Sequence, residues 1–286
     1  MSFCLREHRD AADFLEAAEA HLLANESENS LPLGLGRRSM AGTHDGDLGT
    51  RFFTVWEDQE LHGCVMQTPG RAAVFTALPE GAAEYVAEQL PEALEALVGC
   101  NGPVSVVDPV AKVWETLGLG KLEEHASLRL FELTELIEPR RAPGGMRKAS
   151  AEDYELCRRW QHRFAIDCRL PEADAAELPE RVHSIEQGRL YLWEVDGVPV
   201  ASATWVRPVQ TGITVGFVYT PDDCRGRGYA TNLVADLTRG LLDGSVYQPA
   251  RERVTLFTDL ANPTSNGIYR KLGYRPIADH RLYLFR

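Results

Sequence analysis

The sequence has no C-x-x-C pair, no apolar run approaching the roughly 18 residues of a membrane span, and no excess of positive charge. Its six cysteines are scattered along the chain, which is typical of reduced, buried thiols rather than of a disulfide framework or a zinc ribbon. The first residues, MSFCLREHRDAADF, lack the apolar core of a signal peptide. We therefore expect a cytoplasmic protein that does not act at a membrane.

The net charge of −12 argues against general nucleic-acid binding, which requires a basic face. This charge is distributed unevenly: residues 1–143 contain 11 Lys and Arg against 24 Asp and Glu, whereas residues 144–286 contain 19 against 18. The asymmetry suggests that the second half alone handles an anion, although a drift in composition between two domains would give the same numbers.

The length of 286 residues favours two domains, at about 150 residues per domain. The stretch EPRRAPGGM at 138–146 is the best linker candidate, so we predict domains at 1–139 and 144–286. Two pairs of similar segments occur in the same order in the two halves: FTVWE at 53–57 with LYLWE at 190–194, and VWETLG at 113–118 with IYRKLG at 268–273. This repetition predicts a duplicated α/β unit.

Each half contains a hairpin pattern, then a strand, a helix and another strand. In the second half we predict strands at 212–219 and 253–258 around a helix with an apolar stripe, and a further helix opened by Asn262 and closed by Gly273. The matching pieces of the first half are Ala72–Leu78, Ala82–Leu97 and Val104–Val107. The expected fold class is α/β (α+β), with a mixed sheet flanked by helices in each unit.

A glycine loop joins the predicted strand 212–219 to the helix that follows it. Gly226 and Gly228 allow a tight turn and a close approach to a ligand, and the helix presents unpaired N–H groups at its start. With Arg225 and Arg227 beside them, these features predict a phosphate cradle. The Walker motif and the dinucleotide fingerprint are both absent, because no Lys follows these glycines and Thr231 stands where a third glycine is needed.

The loop does fit the pattern R/Q-x-x-G-x-G/A, as Arg225-Gly-Arg-Gly-Tyr-Ala230. Here the chain resembles the GNAT superfamily of N-acetyltransferases over roughly residues 144–286. The resemblance implies a mostly antiparallel twisted sheet, acetyl-CoA as co-substrate, loop amides that hold the CoA diphosphate, and a preceding strand that binds the pantetheine arm. The binding residues it implies are Phe217, Val218, Tyr219, Arg225, Gly226, Arg227, Gly228, Tyr229, Ala230 and Thr231.

A second element, at 259–274, is similar to the superfamily pattern N-x(6)-Y-x(3)-G-F/Y. The resemblance places Asn262 against the CoA arm and makes Tyr269 the acid that protonates the departing thiolate. A thiol leaves faster when a positioned acid supplies a proton, although a Tyr on an amphipathic helix is also a common core residue.

The first half departs from both patterns. Leu78-Pro-Glu-Gly81 and Glu84 stand where the phosphate loop is expected, and their carboxylates would repel phosphate. Trp114, which has no titratable phenol, stands at the position of the acid. We therefore expect the first half to keep the shape of the unit without binding CoA.

Several other candidates are weaker. Gly34–Arg38 is predicted to be a mobile loop, and Cys157, His162 and Cys168 lack a fourth ligand, so no metal is expected. Glu186, Asp259 and His183 are possible general bases, and the sequence does not rank them.

The sequence predicts direct acetyl transfer from acetyl-CoA to a primary amine, on a small molecule or a peptide, in a ternary complex. The alternatives are a specialised tandem acyltransferase of the mycothiol synthase type, a non-catalytic acyl-CoA sensor, and an interaction protein that uses the doubled fold for assembly.

Overall fold

A computed structural model describes residues 3–42, 49–94, 96–170 and 179–286, with the side chains of 179–182 left undescribed. The chain forms two compact units. Unit 1 runs up to Leu130 and also contains Ile277–Arg286, whereas unit 2 is Phe131–Pro276. The division therefore falls before the predicted linker at 138–146, and the end of the chain returns to unit 1.

The first half of the chain begins with a strand and two helices and continues with three strands, a helix, a strand, a helix and a strand. These elements are β1 (Phe3–His8), α1 (Ala11–Ala24), α2 (Ser30–Met40), β2 (Arg51–Glu57), β3 (Glu60–Gln67), β4 (Ala73–Phe75), α3 (Ala82–Ala93), β5 (Gly99–Pro103), α4 (Val104–Thr116) and β6 (Leu122–Leu133).

The second half repeats this order, with two short 3₁₀ turns added at Ala151–Asp153 and Asp222–Cys224. Its elements are β7 (Gly145–Lys148), α5 (Tyr154–Asp167), α6 (Pro179–Glu186), β8 (Leu190–Val195), β9 (Val198–Val206), β10 (Gly212–Tyr219), α7 (Tyr229–Leu242), β11 (Arg253–Asp259), α8 (Pro263–Lys271) and β12 (Arg275–Phe285).

The strands of the two halves are also arranged alike. The orders are β1-β2-β3-β4-β5 and β7-β8-β9-β10-β11, with β12 beside β5 and β6 beside β11. Within these two runs the pairs are antiparallel except for β4–β5 and β10–β11, which are parallel. The predicted fold class, a mixed and mostly antiparallel sheet flanked by helices, is confirmed.

The two predicted hairpins are present, and their turns explain their register. The turn residues Asp58 and Gln59 both have positive φ, as do Asp196 and Gly197. Positive φ at both central residues is the twist that connects adjacent antiparallel strands in two residues. Aspartate and glycine tolerate this conformation better than most residues, which is why the second hairpin is the clearer of the two in sequence.

Two predictions for the first half are wrong. Val104–Val107 is the start of helix α4, and the strand is the preceding segment β5, whose sequence GCNGP has little strand character. Gly34–Arg38 lies within helix α2 rather than in a mobile loop. There Gly36 packs against Leu15 of α1, so the glycine allows close helix packing.

Each unit has its own hydrophobic core. Trp114 is fully buried in the core of unit 1, and helix α7 packs on the core of unit 2. Burial raises the pKa of Cys64, Cys100 and Cys157 to about 12, as expected for inert thiols. Among the helices of the described residues, none has both the length and the apolar character needed to cross a membrane.

Candidate functional site

The ladder between strands β10 and β11 of unit 2 ends before either strand does. Their parallel register runs from Gly212 and Arg253 to Val215 and Leu256 and ends there, although both strands continue. A Cβ placed on Gly216, the next residue of β10, would meet no described atom within 4 Å outside its chain neighbours, so the face of the sheet is open at this position. The end of the ladder leaves the next peptide groups of β10 available to an extended ligand.

A β-bulge accompanies the end of this ladder on the other edge of β10. The register with β9 shifts between Gly216 and Tyr219, and Phe217 has a φ of 49°. Such a conformation is costly for a bulky non-glycine residue and persists where its surroundings impose it. Of the residues that the resemblance assigns to the pantetheine arm, Phe217 and Tyr219 pack in one apolar cluster and Val218 packs against another. These three side chains therefore alternate between the two faces of the sheet, as in an ordinary strand.

The glycine loop leads directly into helix α7. Gly226 has a φ of 79°, and Gly228, the N-cap, has a φ of 80°, a backbone conformation that favours glycine at both positions. No side chain of the described residues caps this helix. The first turn, formed by Tyr229, Ala230 and Thr231, therefore directs backbone N–H groups at the loop, an arrangement that favours an anion.

The two loop arginines differ in their surroundings. Arg225 donates to the carbonyl oxygen of Thr220 at 2.9 Å and pairs with Asp167 and Asp222, each at 2.8 Å. Arg227 is exposed and makes no ion pair with any residue that the structure describes. The sequence predicts that both arginines are cations beside the phosphate cradle. In the structure, Arg225 is paired with carboxylates, and Arg227 is the loop arginine whose charge no described ion pair neutralises.

The segment 138–143, predicted to be a linker, lies along α7. Its contacts run toward the helix N-terminus: Glu138 with Arg239 at 2.6 Å, Arg141 with Asp236 at 2.6 Å, and the Arg140 carbonyl oxygen with Asn232 Nδ2 at 3.2 Å. The Arg141 guanidinium also stacks 4.8 Å from the ring centroid of Trp193. This arginine-rich stretch is therefore ordered by ion pairs and stacking, which its polar composition does not reveal.

Asn262 has a local structural role in the distal element. It is the N-cap of α8, and its Oδ1 accepts a hydrogen bond from the Ser265 amide at 3.1 Å. Asn266, which the sequence analysis does not identify, donates to the carbonyl oxygens of Asp259 and Asn262. Its own Oδ1 is buried without a hydrogen-bond partner among the described residues.

Tyr269 lies on α8 with 6% of its surface exposed, packed against Phe131 and Tyr274. Burial raises the pKa of its phenol above the ordinary value of 10, with a smaller contribution from Cys168. The phenol thus stays protonated well above neutral pH. That is the state in which it can donate a proton.

Helix α5 contributes residues that the sequence analysis does not assign to the site. The ring of Phe164 packs edge-on against Phe217, with centroids 5.3 Å apart, and Trp160 lies 5.8 Å from Tyr219. Asp167 at the end of the helix pairs with Arg225. The spacing of 160, 164 and 167 predicts one helix face, but no local signal identifies the strand and loop that this face contacts.

The remaining candidates do not form a reactive cluster. His183 and Glu186 bond to each other at 2.6 Å, and the carboxylate of Asp259 accepts from the Ala261 amide. Cys157 is buried in α5 whereas His162 is exposed, so they face different surroundings. Within the described ranges, no three His, Cys, Asp or Glu side chains converge in a way that could hold a metal ion.

The corresponding elements are present in unit 1, but the residues around them differ from those in unit 2. Helix α3 begins after Gly81, whose φ is also 80°, but Glu84 stands in its first turn. The N–H group of Trp114 is already occupied, donating to the carbonyl oxygen of Ala87 at 2.9 Å. A Cβ placed on Gly102 of β5 would lie 2.7 Å from the carbonyl oxygen of Phe75, so β4 and β5 remain in contact past their last pair.

A family model matches part of this chain, and solved structures of other proteins share its fold. The sequence model of the FR47-like protein family matches residues 195–284. A Drosophila protein of known structure is similar over 99% of both chains, with 14% identity and a TM-score of 0.69. No protein with a curated description matches the chain.

Two further solved structures are similar. A tandem GNAT protein from the clavulanic acid biosynthesis pathway has 12% identity over 99% of this chain and 97% of its own, with a TM-score of 0.58. A GCN5-related N-acetyltransferase from Kribbella flavida has 19% identity over 87% of this chain and 94% of its own, with a TM-score of 0.56. The resemblance inferred from the loop and the distal element is thereby confirmed: the chain has the fold of the GNAT superfamily, and residues 195–284 match the model of the FR47-like family.

Proposed function

We propose that this protein is an N-acetyltransferase that moves an acetyl group from acetyl-CoA to a primary amine by direct attack in a ternary complex. The observation that carries the proposal is the coincidence, in unit 2, of the early end of the β10–β11 ladder with the uncapped N-terminus of α7. An extended chain that ends in a diphosphate requires both features, one for its amide-bearing arm and one for its charge.

The residues of unit 2 fit acetyl-CoA. The peptide groups of Phe217, Val218 and Tyr219 lie beyond the end of the β10–β11 ladder and can hydrogen-bond the pantetheine amides. The loop Gly226–Gly228 and the first-turn amides of α7 would hold the diphosphate, with Arg227 as the free cation. Asn262 is exposed and its Oδ1 caps α8, so its Nδ2 is the side-chain atom that would contact the arm.

Acetyl-CoA supplies the acetyl group as a thioester. The chain's own contribution to rate would come from holding the reactants in register and from the proton on Tyr269 Oη. Burial keeps that proton in place at neutral pH, so the phenol is ready to donate it to a departing sulfur. The acceptor amine, on a small molecule or a peptide, must arrive neutral or lose its proton to solvent before it attacks.

The test combines binding with turnover on the full-length chain. Calorimetric titration with CoA should give one site per chain, and thiol release from acetyl-CoA should depend on an added amine from a panel of small amines and peptides. Absence of CoA binding would contradict the proposal. Binding without thiol release for any amine would instead indicate an acyl-CoA sensor.

A further inference from the structure

Arg225 is the first residue of the loop motif, yet it is held by residues on two sides of the loop. Its Nε donates to the Thr220 carbonyl oxygen at 2.9 Å, and Asp222 pairs with it from within the loop. Asp167, the last residue of α5, pairs with it from 58 positions away in sequence, at 2.8 Å. The guanidinium thus connects the end of β10, the loop and α5.

The charges of this group oppose the binding of a phosphate. One guanidinium is matched with two carboxylates, which leaves a net negative charge beside a loop that would hold a diphosphate. Like charges repel, so by charge alone the removal of either carboxylate should tighten CoA binding. Because a carboxylate in this position weakens phosphate binding through its charge, any favourable contribution it makes to CoA binding must have another cause.

The position of Asp167 indicates such a cause, namely that it holds the loop in place. The loop contains two glycines with positive φ, and glycine has more backbone freedom to lose than any other residue when a ligand orders it. A bond from Arg225 to a helix holds the loop in one arrangement before a ligand arrives. Helix α5 is itself fixed on β10, because Phe164 and Trp160 pack on Phe217 and Tyr219.

We propose, on the basis of the proposed function, that Asp167 is a positioning residue: through Arg225 it holds the diphosphate loop against α5 and so prepares the loop for CoA. Asp222 cannot do this, because it lies in the same short segment as Arg225 and its side chain is 88% exposed. The two carboxylates contact one guanidinium, but only the removal of Asp167 is expected to weaken CoA binding.

Calorimetric titration of CoA into the full-length chain tests this difference. Asp167→Asn should raise the Kd for CoA about fivefold, which corresponds to about 1 kcal/mol, while its matched control Asp222→Asn should leave the Kd unchanged or lower it. Asp167→Glu, which keeps the carboxylate, should restore most of the affinity. Because the side chains of Arg225 and Asp167 are 51% and 45% exposed, their pair should add little to stability, and Tm should barely change.

A variant of Arg225 tests the same inference independently of Asp167→Asn. Arg225→Lys keeps the charge but replaces the planar fork with a compact ammonium that cannot span the same three partners, and it should weaken CoA binding as Asp167→Asn does. If Asp167 and Arg225 act together, the double variant should bind CoA no more weakly than the weaker-binding single variant. Equal or tighter CoA binding by Asp167→Asn, or full additivity with Arg225→Lys, would overturn the inference, whereas a wild-type chain that binds no CoA would overturn the proposed function itself.

Discussion

Helix α3 of unit 1 and helix α7 of unit 2 begin in nearly the same way. Each follows a glycine with a φ of 80°, Gly81 in one case and Gly228 in the other, and no described side chain caps either helix. The local backbone that favours an anion is therefore present in both units. A helix N-terminus preceded by glycine does not, by itself, distinguish the unit that we expect to bind CoA.

The parallel strands in front of these helices do distinguish the two units. Beyond its last pair, β4 of unit 1 stays close enough to β5 that Gly102 has no room for a side chain beside Phe75. In unit 2 the β10–β11 ladder ends at Val215 and Leu256, although both strands continue. Strands that stay in contact leave no gap for an extended ligand. The packing of these strands therefore distinguishes the two units more clearly than the glycine before the helix does.

The largest expected effect concerns the position occupied by Tyr269 in unit 2 and by Trp114 in unit 1. Tyr269→Phe should lower turnover by about 100-fold while leaving CoA affinity unchanged, because a general acid contributes at least this much. Steady-state thiol release and calorimetry measure the two quantities. Unchanged turnover would remove the acid role.

The matched control is Trp114→Phe in unit 1. This variant should lower Tm, because it leaves a buried cavity and breaks the bond to Ala87, while turnover per folded molecule is preserved. A comparable loss of turnover in both variants would break the distinction between the units.

The two N-cap glycines provide the next comparison. Gly228→Ala and Gly81→Ala should each cost about 1–2 kcal/mol of stability, since alanine is strained at a φ of 80°. The Kd for CoA should rise about tenfold in Gly228→Ala alone, measured by calorimetry at a temperature where both variants are folded. An equal rise in Gly81→Ala would place a CoA site in unit 1.

A smaller effect is expected from the free loop cation. Arg227→Gln should raise the Kd for CoA roughly fivefold and make it less sensitive to salt, because a screened attraction between exposed charges is lost. Titrations at low and high ionic strength measure both changes. A salt dependence identical to that of the wild-type chain would show that Arg227 is remote from the bound phosphates.

The smallest expected effect tests why unit 1 is not expected to bind CoA. The two possible reasons are repulsion of the phosphates by carboxylates and the contact between strands β4 and β5. Removing two carboxylates at the start of α3 in the double variant Glu80→Gln, Glu84→Gln should cost only about 1 kcal/mol of stability, from lost helix-dipole interactions. We expect one CoA per chain to remain the stoichiometry, since β4 and β5 stay closed. A second binding event in calorimetry would show that the carboxylates, rather than the closed strands, exclude the ligand.

Much of the architecture could be predicted from local sequence. The hairpins, strand β10 and helix α8 follow from alternation, turn residues and capping, which act between neighbours in the chain. Strand β5 could not be predicted in this way: GCNGP forms a strand because Gly99 and Gly102 fit tightly against neighbouring strands, and that contact depends on partners distant in sequence.

The sequence by itself determined the doubled order of elements, the positive-φ glycines of the loop and the fold family, because each is encoded in short patterns of residue type and spacing. The tertiary structure alone decided which strand pair opens, which loop arginine stays uncompensated and where the segment 138–143 lies. These outcomes depend on contacts such as Asp167 with Arg225 and Phe75 with Gly102, between residues far apart in the chain. Such contacts form when the sheet and helices pack, and no local pattern encodes them.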